Sequence, residues 1–399
     1  MSEELRRTEA AVLANFRKEN PSTHFLAESR AAFEARRRQR ECLFRDNLKF
    51  PPKMFEGCRL LDLGAGTGEN SVYYAHWGAT CTLVEINDTA LARARQIFDD
   101  YLGAADHDFV CASLFDYRAT ERFDIVLSEG VVHHTADKAG AFAHLVSFLK
   151  PGGYAVLGVG NAAGCFQRAL QRVILFTFAA DDEAIVAVAE RLFKEHIDRA
   201  AQYGQRTRRA VIFDSFVNPK VDFPSVSEVL GWFAANGLAL YSSWPPLTPT
   251  LLGDSGMRAS FDPLMQPAVG AVAEAVWLAH DRDDRDELAE RLSGLDAFDH
   301  VQTALTAAVN DFGRGQNFDQ DRFAGHLAAY RTALKDLDPY AGFTAKTTAL
   351  LDEVDAVLAL LAKRDLDGLT QTLAKTKHLF RGTGGLGVAR YIGYKPEQA

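Results

Sequence analysis

Residues 60–68 read Leu-Leu-Asp-Leu-Gly-Ala-Gly-Thr-Gly, a short apolar run that ends in three alternating glycines. This pattern is typical of a buried parallel strand that enters a tight turn and then a helix. Glycines leave out side chains where a backbone has to approach a ligand closely. Residues 70–77 then read as the helix, and residues 79–84 as a second strand that ends on Glu85. The stretch predicts an α/β fold with a ligand at the glycine turn.

Two carboxylates indicate which ligand the turn binds. Glu85, at the end of the second strand, suits a ribose diol because a carboxylate accepts two hydroxyl hydrogen bonds. The glycine spacing differs from the Gly-x-Gly-x-x-Gly fingerprint of pyrophosphate-binding turns. Asp62 precedes the first glycine by two residues. Its charge repels a pyrophosphate and favours an ammonium or sulfonium ligand, so the pattern argues against a dinucleotide.

The alternation of strands and helices continues to residue 160. Further strands are predicted at residues 108–112, 123–127 and 154–159, and helices at residues 90–101 and 139–149. Repeated strand–helix units imply a parallel sheet with helices on both faces and right-handed crossovers. Ligands of such sheets lie at the carboxyl ends of the strands, so the glycine turn and the polar residues after later strands belong to one site.

These motifs together resemble the class I S-adenosylmethionine-dependent methyltransferases. The first motif of that family is similar to residues 61–68, its fourth-strand motif to Phe-Asp-Ile-Val-Leu at 123–127, and the turn before its fifth strand to Leu-Lys-Pro-Gly-Gly at 149–153. The resemblance covers roughly residues 55–160. One departure is Ser113, which stands where many members have an aspartate for the adenine amino group; Asp116 is the alternative.

The resemblance implies a doubly wound, mostly parallel seven-stranded sheet with an antiparallel last strand and large helical insertions. Ser225 and Glu228 form a capping signal for a helix that ends at Asn236-Gly237, and the strand after it, 238–243, is similar to the family's sixth. Residues 388–394 are the best candidate for the seventh. The helices between these strands are then an insertion; the alternative is a separate carboxyl-terminal domain with its own final strand.

The expected organisation has six segments. They are an N-terminal helical lid (1–50), the SAM-binding core (51–160), a substrate-side insertion (161–224), the core continuation (225–249), a helical cap insertion (250–385) and the final core strand (386–399). Helices are predicted at residues 162–180, 182–203, 269–292, 298–312, 319–337, 343–361 and 367–380, and a loop at residues 211–223, which contain Asn218-Pro219. For the N-terminal segment, the alternative to a lid is a solvated helix packed by one face.

The resemblance also implies binding residues for the donor, S-adenosyl-L-methionine, and its product, S-adenosyl-L-homocysteine. Those residues are Asp62, Gly64, Ala65, Gly66, Gly68, Glu85, Ile86, Ser113, Leu114, Ser128 and Glu129. In this assignment Gly64 and Gly66 approach the methionine part and Glu85 takes the ribose hydroxyls. Ile86 packs on the adenine, and Ser128 and Glu129 lie beneath the sulfonium.

His133 and His134 are the candidate catalytic residues, because they follow the fourth strand where the family faces the transferring methyl. Imidazole titrates near neutrality and suits a base that removes a proton from an O–H or N–H acceptor; a purely structural pair is the alternative. The substrate-binding candidates are Tyr73, Asp214 and Asn218, with loop capping as the alternative for the last two. The basic cluster of Arg206, Arg208 and Arg209 suits an anionic substrate or a solvated surface.

Composition argues against several classes of function. The 399 residues carry a net charge of −9, which argues against non-specific nucleic-acid binding. Five cysteines form no C-x-x-C pair, so we expect neither a zinc site nor a disulfide framework, and no other metal site is indicated. The charged N-terminus resembles no signal peptide, and no apolar run has the length of a membrane span.

We therefore expect a cytoplasmic enzyme that methylates an oxygen or nitrogen atom of a small or medium-sized molecule. It would have no nucleic-acid or membrane partner, and homo-oligomerisation is left open. Two alternatives remain at this point. One is a methyltransferase that acts on RNA or protein, and the other is a catalytically silent subunit that binds a partner through its helical region.

Overall fold

The computed structural model describes residues 2–19, 29–103, 106–204, 206–247, 296–310, 312–341, 344–381 and 387–397. The helix predicted at residues 269–292 lies outside these ranges. None of the helices within them is long and apolar enough to cross a membrane.

Seven strands of the described chain form one sheet in the order β3-β2-β1-β4-β5-β7-β6. They are β1 (Arg59–Leu63), β2 (Thr80–Glu85), β3 (Asp108–Cys111), β4 (Phe123–Glu129), β5 (Leu149–Gly160), β6 (Ala239–Trp244) and β7 (Val388–Tyr394). The first five are mutually parallel, and β7 runs antiparallel to both β5 and β6. The predicted fold class is confirmed, including the strand at 388–394.

Fourteen helices have described residues. They are α1 (Glu3–Lys18), α2 (Arg30–Cys42), α3 (Ser71–His76), α4 (Asp88–Leu102), α5 (Lys138–Ser147), α6 (Phe166–Phe178), α7 (Asp182–Leu192), α8 (Lys194–Gly204), α9 (Arg208–Ile212), α10 (Val226–Ala235), α11 (Asp296–Ala307), α12 (Gln320–Ala341), α13 (Thr344–Ala362) and α14 (Leu366–Leu373). A π-helical turn follows α2 at Leu43–Asn47 and another follows α9 at Phe213–Val217.

Both faces of the sheet are buried, which explains the continuous apolar runs of its strands. Successive side chains point to opposite faces, so Leu60 joins one apolar cluster and Leu61 the other. On the first face, α2, α3 and α4 pack through residues such as Phe33, Tyr74 and Phe98. On the second, α5 and α10 pack through Phe142, Trp232 and Phe233. The core is therefore a three-layer sandwich.

The remaining helices share a third apolar cluster beside the sheet. This helical unit contains α6 to α9, from the chain before β6, and α11 to α14, from the connection between β6 and β7. Phe166 of α6, for example, stacks on Phe323 of α12 with ring centroids 6.2 Å apart. Two stretches of chain that are distant in sequence therefore bury their apolar faces against each other.

Two local predictions are wrong. The helix predicted at residues 182–203 is broken at Phe193, where φ is −124° and ψ is 24°, and this turn directs the Phe193 ring into the helical unit against Phe380. The loop predicted at residues 211–223 begins as α9 and its π-helical turn, which bury Ile212 and Phe216. Prolines at 219 and 224 suggested a loop, but the apolar residues before them pack as a helix.

Candidate active site

A cavity of about 400 Å³ lies at the carboxyl ends of the strands. β1 has β2 on one side and β4 on the other, so the chain reverses direction across the sheet between β1 and β4. Open α/β sheets bind ligands in the crevice that forms at such a switch point. The cavity follows this rule, because the turns after β1, β2, β3 and β4 and the end of β5 all line it.

The glycine turn forms one wall of the cavity. Gly64, Gly66 and Gly68 have φ of 85°, 55° and 69°, a region that side-chain-bearing residues rarely adopt. A Cβ on Gly64 would overlap Val131, and one on Gly68 would crowd Ala94 of α4 at 3.0 Å. A Cβ on Gly66 would meet nothing within 4 Å, although Gly66 lines the cavity. Gly64 and Gly68 therefore allow packing, whereas Gly66 leaves room for a ligand.

Glu85 lies beside this turn at the end of β2. Its two oxygens accept the backbone N–H groups of Gly66 and Asn87, each at 2.8 Å. Burial raises the pKa of Glu85, and these backbone donors partly offset that rise. A carboxylate has about four lone-pair positions, so Glu85 keeps capacity to accept from a ligand hydroxyl.

Six of the predicted site residues do not line the cavity; they are Asp62, Gly68, Tyr73, Ser113, Ser128 and Asn218. Asp62 is buried beneath the turn, where Ser71 donates a hydrogen bond to it. Burial raises the pKa of Asp62 to about 7, and the Ser71 bond opposes this rise. Ser128 is buried as well and donates to the Leu63 carbonyl at 2.9 Å. Any influence of these two residues on a ligand passes through the backbone of the turn.

The other predicted residues do line the cavity; they are Gly64, Ala65, Gly66, Glu85, Ile86, Leu114, Glu129, His133, His134 and Asp214. The structure therefore brings together side chains from every turn at this edge of the sheet. Their roles as donor-binding, catalytic or substrate-binding residues remain predictions.

Glu129 is held by two arginines that the sequence reasoning missed. Arg40 of α2 and Arg390 of β7 form ion pairs with it, and Tyr74 donates a hydrogen bond at 2.8 Å. Burial opposes ionisation of Glu129, but the two guanidinium groups outweigh it and lower its pKa to about 2. Glu129 is thus ionised at neutral pH, and the two arginines largely compensate its charge. Arg40 looked like one of several surface arginines in a charged helix, and nothing local marks it as buried.

The two histidines are both neutral at neutral pH, because burial lowers the pKa of each. Nδ1 of His134 lies 2.7 Å from the carbonyl oxygen of Lys220. A carbonyl only accepts, so Nδ1 of His134 carries the proton and Nε2 keeps its lone pair. Nδ1 of His133 instead accepts the N–H of Gly160 at 3.4 Å, which puts the His133 proton on Nε2. Assigned in this way, His134 offers an acceptor and His133 a donor.

Helix α1 covers part of the cavity. Leu5, Val12, Leu13 and Phe16 line it from a single face of that helix. The Phe16 ring meets His134 edge-on at 5.8 Å, and Glu9 accepts a hydrogen bond from Ser113 at 2.5 Å. The position agrees with a lid, which remains an interpretation. The apolar stripe was not predicted because charged residues dominate the sequence of α1.

The helical unit and the segment that follows it supply further lining residues. Arg168 of α6 and the pair Arg206–Asp214, with 2.9 Å between Nη1 and Oδ2, lie at this end together with Val221 and Phe223. Arg208 and Arg209 instead pair with Glu190 and Glu183 outside the cavity. Throughout the described ranges, no three His, Cys, Asp or Glu side chains form a group that could hold a metal ion.

Comparison with known proteins gives a match to the core alone. Residues 61–157 match the model of a family described as the methyltransferase domain. The ubiquinone biosynthesis O-methyltransferase of Bradyrhizobium sp. (strain ORS 278) is 31% identical over 105 residues, 26% of this chain and 41% of that protein. The enzyme of the same name from Paramagnetospirillum magneticum is 35% identical over 99 residues, which are 25% of this chain and 39% of that protein. The chain therefore spans about two fifths of the length of these relatives.

Two solved structures match part of the chain at low similarity. A methyltransferase from Mesorhizobium loti, described as S-adenosylmethionine-dependent, is 19% identical with a TM-score of 0.32, and the match covers 47% of this chain and 78% of that one. Magnesium protoporphyrin IX methyltransferase from Synechocystis PCC 6803 is 14% identical with a TM-score of 0.30, and the match covers 47% and 63%.

Proposed function

We propose that the chain is a class I S-adenosylmethionine-dependent methyltransferase, which the match of residues 61–157 to a methyltransferase domain supports, and that it transfers a methyl group to an oxygen atom of a small or medium-sized molecule. The observation that carries the proposal is the single cavity that holds both the glycine turn with Glu85 and the two neutral histidines. We propose oxygen rather than nitrogen as the methylated atom because the curated relatives that match the core are named as O-methyltransferases.

The donor fits the wall formed by the glycine turn. Gly66 leaves open space, Glu85 retains lone pairs for ribose hydroxyls, and Ile86 and Leu114 offer apolar surface for a base. Glu9 and Glu85 contribute carboxylates to this part of the cavity, which suits a positively charged ligand, whereas Glu129 is already paired with Arg40 and Arg390. When bound, S-adenosyl-L-methionine supplies a methyl group on a sulfonium, already a good leaving group, and departs as S-adenosyl-L-homocysteine.

His134 acts as the general base in this proposal. Its free Nε2 takes the proton of the acceptor hydroxyl, and the Lys220 carbonyl stabilises the proton on Nδ1. Positioned bases of this kind contribute about 10²–10⁴ in rate. Nε2–H of His133 orients the acceptor oxygen by donating to it. Phe16 of α1 lies over His134 and excludes water from the reacting groups.

Calorimetry with S-adenosyl-L-methionine tests the donor site. We expect micromolar binding, and Glu85→Ala should weaken it by at least about tenfold, because hydrogen bonds to a charged acceptor are worth about 1.5–3 kcal/mol. Glu56→Ala is the matched control, since Glu56 is exposed and precedes β1 at the opposite edge of the sheet. Absence of donor binding to the wild type would leave the silent-subunit alternative.

A methyl-transfer screen tests the acceptor. Cell extracts and hydroxylated small molecules are incubated with isotopically labelled donor, and the products are identified by mass spectrometry. We expect labelled O-methyl products of low mass. Label that appears in RNA or protein instead, or on nitrogen, would replace the proposed acceptor class.

A further inference from the structure

The two ends of the cavity differ in charge. The end at the glycine turn holds Glu9, Glu69 and Glu85 together with Arg36, whereas the end at the histidines holds Arg168, Arg206 and Asp214. Arg206 is paired with Asp214, so these two charges compensate each other. Arg168 acts electrostatically on both His133 and His134, which places its charge at the same end. The histidine end therefore has a net positive charge that comes from Arg168.

Nothing near Arg168 in the described chain neutralises it. It is half-buried on α6, and no carboxylate of the described ranges lies within ion-pair distance. Its other neighbours are neutral: Gln167, Gln171 and His196 line, together with Arg168, a second cavity of only about 10 Å³. Burial lowers the pKa of His196 to about 4, so this ring is uncharged at neutral pH.

Gln171 lines the same small cavity. It is 1% exposed, and neither its amide oxygen nor its amide nitrogen has a hydrogen-bond partner among the described residues. Its neutral amide does not compensate the charge of the Arg168 guanidinium, which lines this second cavity together with it. A partly desolvated cation without a counter-charge is costly, and an anionic ligand removes that cost.

We propose that the methyl acceptor carries a carboxylate, distinct from the hydroxyl that is methylated, and that Arg168 binds this carboxylate. The inference rests on the proposed function and specifies its substrate class. A guanidinium binds a carboxylate with two parallel hydrogen bonds, which also fixes its orientation. A carboxylate is already ionised and needs no base, so His134 serves the hydroxyl and the carboxylate remains unchanged. Phe16, Val221 and Phe223 line the same end and favour an apolar or aromatic body.

Matched acid and amide probes test the charge preference. The probes are 3,4-dihydroxybenzoate and 3,4-dihydroxybenzamide, which share their shape and hydroxyls but differ in charge. Binding is measured by calorimetry on the full chain saturated with S-adenosyl-L-homocysteine. We expect the acid to bind at least about tenfold more tightly than the amide, the gain typical of a charge-assisted pair. Equal affinities, or no binding of the acid at millimolar concentration, overturn the proposal.

Three variants connect the preference to Arg168. Arg168→Gln should abolish it, and Arg168→Lys should retain part of it because the charge remains. Arg322→Gln is the control, since Arg322 is exposed on α12 and does not line the cavity. An acid preference that survives in Arg168→Gln contradicts the proposal.

Donor binding distinguishes a failure of this proposal from a failure of the proposed function. All variants should bind S-adenosyl-L-homocysteine as the wild type does, which also shows that they fold. If the wild type binds no donor or product, the proposed function fails. If it binds both but shows no acid preference, only the assignment of Arg168 fails.

Discussion

Nε of Arg390 in β7 lies 2.8 Å from Oε1 of Glu129 at the end of β4, although the two residues are 261 positions apart. Arg40 reaches the same carboxylate from α2. The three residues join the N-terminal region, the central sheet and the last strand at the wall of the cavity. Glu129 was predicted as a donor-binding residue. Its position at the cavity agrees with that role, and its charge also stabilises the fold.

Loss of Arg40 should destabilise the protein strongly. Arg40→Met leaves buried Glu129 with Arg390 as its one remaining cationic partner and with the Tyr74 hydroxyl, and breaking a buried ion pair typically costs about 3–5 kcal/mol. Because Arg390 remains, we expect the lower end of this range in the free energy of unfolding, measured by urea denaturation. Arg38→Met on the exposed face of the same helix should change it by less than about 0.5 kcal/mol. Equal effects of the two variants would contradict the assigned role.

The same cluster predicts an acid-sensitive stability. The folded pKa of Glu129 is about 2, below its ordinary value of 4.5, so its ionised form is favoured by folding. This contribution is fully present above the ordinary value and is lost as the pH falls from there through about 2. Between about pH 6 and about pH 3, the wild type should therefore lose more stability than Glu129→Gln, which has no group to titrate. If urea denaturation gives the wild type and Glu129→Gln the same pH dependence of stability, Glu129 is not a source of the acid sensitivity.

His134 should control the chemical step. His134→Ala is expected to lower kcat by about 10²–10⁴ with donor affinity unchanged. Because burial lowers the pKa of His134 below 6.5, the base stays unprotonated at neutral pH, and kcat should begin to fall only at a pH below that of an ordinary histidine. His144→Ala, which replaces a half-buried histidine of α5 outside the cavity, is the control. A kcat that already declines from neutral pH would argue against His134 as the base.

Gly66 should matter for the donor more than for stability. Gly66 and Gly57 both have positive φ, and a Cβ on either would meet nothing within 4 Å. Alanine at each position should therefore cost a similar strain of about 1–2 kcal/mol. Only Gly66→Ala places a methyl group in the cavity, so only it should weaken donor binding, by at least about tenfold. Calorimetry and urea denaturation on both variants separate the two effects, and equal donor affinities would exclude close approach at Gly66.

The sheet was predictable because its signals are local. The apolar runs, the glycines after β1 and the period of two or 3.6 residues indicate element type without knowledge of partners. Residues 388–394 were identified as the last strand through the family resemblance, since an isolated strand at the end of a chain does not reveal its neighbours. The break at Phe193 and the helix at Arg208–Ile212 were missed because tertiary burial, and not local preference, decides them.

The sequence by itself determined the core sheet, the glycine turn and the match of residues 61–157 to a methyltransferase domain, since each depends on short, ordered motifs between residues 60 and 160. Only the tertiary structure decided which side chains meet around the cavity. It buried Asp62 behind the turn, joined Glu129 to Arg40 and Arg390, and left Arg168 without a counter-charge among the described residues. Burial and charge pairing depend on segments distant in the chain, and no local pattern specifies them.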